Sequence, residues 1–162
     1  MSLPSPSPSS TIIVTGASAG IGAELARELA RRGHNLALVA RDEARLEELA
    51  SELRASGDVE VHTFAADLAE DGSREDLVRA LEEGSREVVA LCNNAGVGSF
   101  GRFQKLPFEG EARQVQLNVV ALHELTGRLL PGMVARGRGA ILNVGSIAGF
   151  QPQPIQSPPK RS

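Results

Sequence analysis

Three glycines stand where the first apolar run of the chain meets its first amphipathic segment, in the stretch TGASAGIGAELARELA. The run before them, residues 11–16, is rich in β-branched residues, and the segment from about Gly20 to Arg32 has helical periodicity. Glycines at such a turn relieve the bend, let backbone N–H groups approach a pyrophosphate and bring helix and strand close together. Gly16, Gly20 and Gly22 therefore predict a dinucleotide-binding turn. The alternative is that they serve only the bend.

The rest of the chain repeats this alternation of strand and helix. Residues 35–40, 59–66, 87–94 and 139–146 are predicted strands, and residues 42–57, 75–83 and 108–136 are predicted helical segments. The run Val88–Cys92 is apolar throughout, which is typical of a strand buried on both faces of a parallel sheet. Strands that alternate with helices in this way predict an α/β fold with a parallel sheet.

Composition excludes several classes of partner. The formal net charge is −3, and the basic residues are scattered among carboxylates, so no basic surface is predicted for nucleic acid or an anionic membrane. No apolar stretch is long enough to cross a bilayer, and the start, MSLPSPSPSS, is neither cationic nor apolar as a signal peptide requires. The single cysteine, Cys92, excludes an internal disulfide and a cysteine-only metal site. We therefore predict no metal site and a reducing, cytoplasmic location.

Composition also divides the chain into three parts. Residues 1–10 are predicted to be a disordered Pro/Ser leader, and residues 151–162 a divergent Pro-rich tail. Residues 11–150 carry the alternating pattern and have the length of one ordinary domain. We predict that this part is a single dinucleotide-binding domain.

Four motifs together resemble the classical short-chain dehydrogenase/reductase family. They are TGASAGIG, NNAG (93–96), LN (117–118) and NVGSIAG (143–149), and they follow the family's order and similar intervals across residues 11–150. The resemblance implies a Rossmann-like, doubly wound parallel sheet with a nicotinamide dinucleotide at its carboxyl edge. The family has about seven strands, so the resemblance also implies that this chain holds about five of them and that the C-terminal part of the fold is missing.

The resemblance further implies which residues contact the cofactor. The glycine turn would line the phosphates, the aspartate of the AADL stretch would meet the adenine ring, and the NAG stretch would pack against the adenosine ribose. The implied set is Gly16, Ser18, Gly20, Ile21, Gly22, Asp67, Asn94, Ala95 and Gly96. Asn94 has a second interpretation, in which its side chain ties neighbouring strands together.

The end of the second strand decides between NAD and NADP. A carboxylate there accepts a ribose 2′-hydroxyl, whereas a 2′-phosphate needs a cation. Ala40 stands where the family's NAD users tend to carry Asp, and Arg41 follows with a forked donor that suits phosphate. We therefore predict NADP, with NAD as the alternative. Asp42 is adjacent, and Arg41 could instead be a solvated charge before a helix.

The catalytic residues are only partly matched. In the family a Tyr exchanges the proton, a Lys four residues later lowers its pKa, a Ser polarises the substrate oxygen and an Asn anchors a water chain. Ser146 and Asn118 match the Ser and the Asn, although the first could be a turn residue and the second a polar group in a helix. The 162 residues contain no Tyr, and Pro159 stands where the Tyr is expected.

We therefore predict an NADP-dependent oxidoreductase of the short-chain dehydrogenase type, whose 162 residues as written lack activity. The alternative is a catalytically inactive dinucleotide-binding fragment or interaction module. The partner is an unidentified small carbonyl or alcohol, and the family's homo-oligomer is expected to be impaired. A sheet that ends at the fifth strand should also expose the apolar side chains of Ile141, Leu142 and Val144.

Overall fold

The computed structural model describes residues 3–84 and 86–147, so the predicted tail and residues 148–150 of the predicted domain lie outside the described residues. Strands and helices alternate, as predicted. The strands are β1 (Ser10–Thr15), β2 (Asn35–Ala40), β3 (Val61–Ala65), β4 (Glu87–Asn93) and β5 (Ala140–Asn143). The α-helices are α1 (Gly20–Arg31), α2 (Glu43–Ser56), α3 (Asp71–Glu83), α4 (Phe108–Val115) and α5 (Leu122–Ala135).

The sheet order is β3-β2-β1-β4-β5, and every neighbouring pair is parallel. The chain builds β2 and β3 outward from one side of β1 and then crosses back to place β4 on the other side. This reversal separates the loops that follow β1 and β4 and opens a crevice at the carboxyl ends of the strands. The predicted doubly wound α/β fold with five parallel strands is confirmed.

Alternate side chains of the central strands pack against opposite helix layers. Ile12 and Leu36 belong to the cluster that α1 and α2 cover, whereas Ile13 and Leu91 belong to the cluster that α3 and α5 cover. β1 and β2 are buried along their whole length because both faces of the sheet are covered there. The outer strand β5 is less protected, and Leu142 is 44% exposed. Ile141 and Val144 are only partly exposed.

The end of the leader is part of the fold. The buried side-chain amide of Asn35 donates hydrogen bonds to the carbonyls of Ser7 (3.2 Å), Pro8 (3.4 Å) and Ser10 (3.1 Å). The N–H of Glu87 donates to the carbonyl of Ser9 at 2.8 Å. The prediction of disorder through residue 10 is therefore wrong for residues 7–10, because a buried amide needs the acceptors that these carbonyls supply.

The predicted helix over 108–136 is interrupted. The segment Gln116–Ala121, between α4 and α5, is a π-helix, and α5 then continues through Pro131. π-Helical turns are rare and occur frequently at functional sites. Within residues 3–84 and 86–147, no helix is long and apolar enough to cross a membrane.

His34 is a buried titratable group at the start of β2. It is 4% exposed, and within the described part of the chain its Nδ1 has no hydrogen-bond partner. Burial, together with the nearby charge of Arg32, holds the pKa of the imidazole below its ordinary value. The fold therefore favours the neutral ring.

Stability should fall as the pH is lowered through about 6.5, the ordinary pKa of histidine, because the unfolded imidazole takes up a proton that the folded one resists. The contribution of His34 to the free energy of unfolding is complete above pH about 6.5. It is lost as the pH falls from there through the lower pKa that the imidazole has in the folded state. His34→Leu keeps an apolar volume and removes the buried nitrogen. Urea unfolding at about pH 7.5 and about pH 5.5, above the range where carboxylates titrate, should show a smaller pH difference for the variant. An unchanged difference would contradict this role for His34.

Candidate functional site

A cavity of about 610 Å³ opens at the carboxyl ends of the parallel strands. The segments that follow β1, β2, β3 and β4 all contribute to its walls, together with Leu117 from the π-helix. Among the predicted cofactor-binding residues, the cavity brings together Gly16, Ser18, Arg41, Asp67, Asn94, Ala95 and Gly96. The predicted residues that do not line it are Gly20, Ile21, Gly22, Asn118 and Ser146.

The glycine turn is packed so closely that side chains are excluded at two positions. Gly16 has φ +66°, and a Cβ there would lie 2.8 Å from the Cα of Ala95. A Cβ on Gly22 would overlap the carbonyl oxygen of Gly16 and lie 2.5 Å from Nδ2 of Asn94. These glycines therefore let the start of α1 press against the ends of β1 and β4. Ile21 points elsewhere and is 66% exposed.

The N-terminus of α1 is open towards the cavity. Its N-cap residue, Ala19, lines the cavity and has no side chain that can cap the helix, and the first turn holds no acidic residue. The first N–H groups of a helix carry a partial positive charge and bind anions. The turn and the helix start therefore form a backbone cradle with room and polarity for a phosphate.

Thr15 and Asn94 join β1 to β4 beneath this cradle. The buried hydroxyl of Thr15 donates to the carbonyl of Cys92 (3.2 Å) and accepts the N–H groups of Asn94 (3.0 Å) and Ala95 (3.0 Å). Nδ2 of Asn94 donates to the carbonyls of Thr15 (2.9 Å) and Gly16 (3.3 Å). Asn94 thus ties the strands together and also lines the cavity. Thr15 was not predicted, although a polar residue that ends an apolar strand beside Gly16 is a usable signal.

Two arginines line the cavity after β2. Asp42 caps α2 by accepting the N–H of Arg45 (3.1 Å), and its carboxylate lies 3.4 Å from Nε of Arg45. Arg41 is exposed and has no hydrogen-bond or ion-pair partner among the described residues. The carboxylate of Asp42 thus caps α2 and pairs with Arg45. The positive charge of Arg41, at the cavity wall, has no carboxylate partner among the described residues. Arg45 was missed at the sequence level; its position four residues after Arg41 in the first turn of a helix is the signal.

Asp67 follows β3 and is held from two sides. Its Oδ1 accepts the N–H of Ala69 at 3.1 Å, and its Oδ2 accepts a hydrogen bond from Nη2 of Arg113 on α4. The same guanidinium donates to Glu70 at 3.1 Å. The hydrogen bond to Asp67 is the main cause that holds the pKa of Arg113 above its ordinary value. Arg113 was not predicted.

Asn118 and Ser146 do not line the cavity. Asn118 sits in the π-helix, where its Nδ2 donates to the carbonyl of Val97 (2.8 Å) and its Oδ1 accepts the N–H of Val97 (3.0 Å). It therefore fixes the loop that follows β4. Ser146 is an exposed residue beyond the end of β5, at the same edge of the sheet.

The arrangement suits binding of a long, anionic, polar ligand more than chemistry by the cavity itself. The titratable residues that line it, within the described part of the chain, are Arg41, Asp42, Arg45 and Asp67. Cys92 does not line it, and burial raises the pKa of its thiol to about 11, so the thiol is not a nucleophile near neutral pH. The site therefore offers backbone N–H groups, the unpaired cation of Arg41, the carboxylate of Asp67 and the ion pair of Arg45 with Asp42.

Gly22→Ala should damage the fold and the cradle together, because the added methyl group meets backbone and cannot be relieved by a side-chain rotation. We expect a loss of about 1–3 kcal/mol in the free energy of unfolding, the range for overpacking. Gly57→Ala is the matched control, since Gly57 has extended backbone and a Cβ there meets nothing within 4 Å. Urea denaturation of both variants measures the difference. Equal stability of the two would show that the close packing at Gly22 is unimportant.

A family model and curated proteins both match most of the chain. The family model described as short chain dehydrogenase matches residues 10–158. The very-long-chain 3-oxoacyl-CoA reductase of Anas platyrhynchos is 36% identical over 147 residues, which cover 88% of this chain and 47% of that protein. The chain thus spans about half the length of this curated relative.

Solved structures are also similar to this chain over most of its length. A short-chain dehydrogenase from Sphingobium yanoikuyae in complex with NADPH is 43% identical, with a TM-score of 0.84 over 89% of this chain and 56% of that one. The L-sorbose reductase of Gluconobacter frateurii, complexed with NADPH and L-sorbose, is 33% identical, with a TM-score of 0.87 over 96% of this chain and 59% of that one.

Proposed function

The chain belongs to the short chain dehydrogenase family, and from that premise we propose that its cavity binds NADP(H) for hydride transfer to or from a carbonyl or alcohol substrate. When bound, the cofactor supplies or accepts the hydride. The chain's own residues bind and orient it. The proposal rests on the family, on the fit of the cavity to an anionic dinucleotide, and on the NADPH complexes of the two similar structures.

The residues around the cavity suit each part of the adenosine half. The cradle of Gly16, Ser18 and the N-cap residue Ala19 would hold the pyrophosphate, and the segment Asn94–Gly96 would pack against the ribose. Asp67 would accept a hydrogen bond from the adenine amino group. Neither Gly20 nor Gly22 lines the cavity: Gly22 supports the cradle by packing against Gly16 and Asn94, and Gly20, with φ +57°, forms the exposed bend into α1.

The observation that carries the preference for NADP is the exposed guanidinium of Arg41 at the cavity wall. A phosphate brings about two negative charges, and a forked guanidinium donates to two of its oxygens at once. NAD users place a carboxylate at the end of the second strand, where this chain has Ala40. Arg45 stands in the first turn of α2 and adds a second cation, although Asp42 compensates part of its charge.

Arg41→Gln should weaken NADPH binding and leave NADH binding unchanged, because only NADPH carries the 2′-phosphate. We expect the Kd for NADPH to rise about ten- to hundredfold, from a loss of ~1.5–3 kcal/mol for a hydrogen bond to a charged group. Titration calorimetry with both nucleotides measures this. Arg79→Gln is the matched control, since Arg79 is exposed on α3, where it pairs with Asp76. Equal NADPH affinity of wild type and Arg41→Gln would defeat the assignment.

The proposed reaction is carbonyl reduction. The names of the similar proteins, a 3-oxoacyl-CoA reductase and a sorbose reductase, support a ketone substrate. In this reaction Ser146 would donate a hydrogen bond to the substrate oxygen, and Asn118 would position the loop at Val97 beside the reacting end of the cofactor. No proton donor is identified for this reaction, because the 162 residues hold no tyrosine and the described cavity wall holds no residue that replaces it.

Residues 1–162 alone should therefore reduce aldehydes and ketones with NADPH only at background rate, since positioned acid–base catalysis contributes ~10²–10⁴-fold.

Joining residues 1–147 to the part of the Sphingobium yanoikuyae enzyme that this chain does not cover should give turnover, measured by NADPH oxidation. In that chimera Ser146→Ala should lower kcat and leave NADPH binding intact, and Ser51→Ala is the control, since Ser51 is an exposed residue of α2. Robust turnover by the 162 residues would overturn the proposed lack of a proton donor. A folded, inactive chimera would favour a binding module.

A further inference from the structure

The loop that carries Asp67 is held on its buried side by one arginine and on its open side by another. Arg74 is 3% exposed; it donates to the carbonyl of Leu68 (2.9 Å) and to the carboxylates of Asp71 (2.9 Å) and Glu124 (2.6 Å). This buried cross-link fixes the backbone of the loop to α5. It does not touch the carboxylate of Asp67, so the direction of that side chain depends on other contacts.

Those contacts come from Ala69 and Arg113. The N–H of Ala69 occupies one lone-pair direction of Oδ1, and the guanidinium of Arg113 occupies one of Oδ2. Each carboxylate oxygen can accept a second hydrogen bond. A carboxylate with both oxygens held in this way cannot rotate, and it still presents acceptors to the cavity that it lines.

Arg113 reaches this position because of its helix face. Leu117, four residues later, lines the cavity, and residues four apart lie on the same face of a helix. The guanidinium is partly exposed and is also anchored by Glu70, the residue that precedes α3. It is thus held between two carboxylates, only one of which belongs to the cavity wall.

We propose that Arg113 is a positioning residue for base recognition: by fixing the carboxylate of Asp67 it makes the site select an adenine, which donates from its amino group, over a base that presents a carbonyl oxygen there. This inference rests on the NADP site proposed above. Arg113 acts through Asp67 and has no part in holding the 2′-phosphate, which falls to Arg41 on the segment after β2. Selectivity for the base and selectivity for the phosphate therefore depend on different arginines.

The test compares NADPH with its hypoxanthine analogue, in which a carbonyl oxygen replaces the adenine amino group. Wild type should bind NADPH about ten- to hundredfold more tightly, the value of a hydrogen bond to a charged acceptor. In Arg113→Gln this ratio should fall to about threefold or less, while the NADPH to NADH ratio stays at its wild-type value. Arg113→Lys, which keeps the charge and one donor, should restore part of the base selectivity.

Two further variants separate positioning from stability. Glu70→Gln removes the other ion pair of Arg113 and should keep base selectivity, whereas Asp67→Asn should lose it, with no further loss in the double variant Asp67→Asn/Arg113→Gln. Thermal unfolding checks that each variant is folded. If both nucleotide ratios change together in Arg113→Gln, or if base selectivity is retained, the proposal is wrong. Wild type that binds both bases equally also overturns it and leaves the NADP site standing, whereas wild type that binds no NADPH removes the proposed function itself.

Discussion

The contact on which the rest of the structure depends is the close approach of backbone where β1 ends, α1 begins and β4 ends. Gly16 and Gly22 leave no room for side chains there, and Asn94 fills the remaining space while it holds the carbonyls of Thr15 and Gly16. These bonds lie at the point where the strand order reverses. They therefore set the width of the crevice and aim the open start of α1 into it.

Two of the loops around the crevice are fixed by a side chain from a neighbouring element. Asn118 holds the loop after β4 through both backbone groups of Val97, and Arg74 holds the loop after β3 through the carbonyl of Leu68. Because parallel strands end at one edge, four separate loops meet there. The regular hydrogen-bond ladder that joins the strands does not continue between these loops. A site made from loops is rigid only when such cross-links hold it to the scaffold.

Charge is used differently in the core, on the surface and in the cavity. Arg74 is buried and satisfied by two carboxylates and a carbonyl, so removing both carboxylates would leave an unpaired buried charge at a cost of about 3–5 kcal/mol. Pairs such as Arg27 with Glu52 are largely exposed and contribute little stability. Arg41 lies in the cavity wall without a partner among the described residues, which suits binding more than folding.

The sequence by itself determined the alternation of strands and helices, the glycine turn and seven of the residues that line the cavity, because hydrophobic periodicity and glycine placement are local properties. Residues close to strand ends, such as Arg41, Asp67 and Asn94, could be placed for the same reason: parallel strands bring their carboxyl ends to one edge. Contacts across the fold could not be read in this way. Three hydrogen bonds are examples: Asn35 to the leader, Asn118 of the π-helix to Val97, and Arg113 to Asp67. They join residues 21 to 46 positions apart. Only the tertiary structure decided them, because such bonds depend on where helices pack on the sheet and leave no periodic trace along the chain.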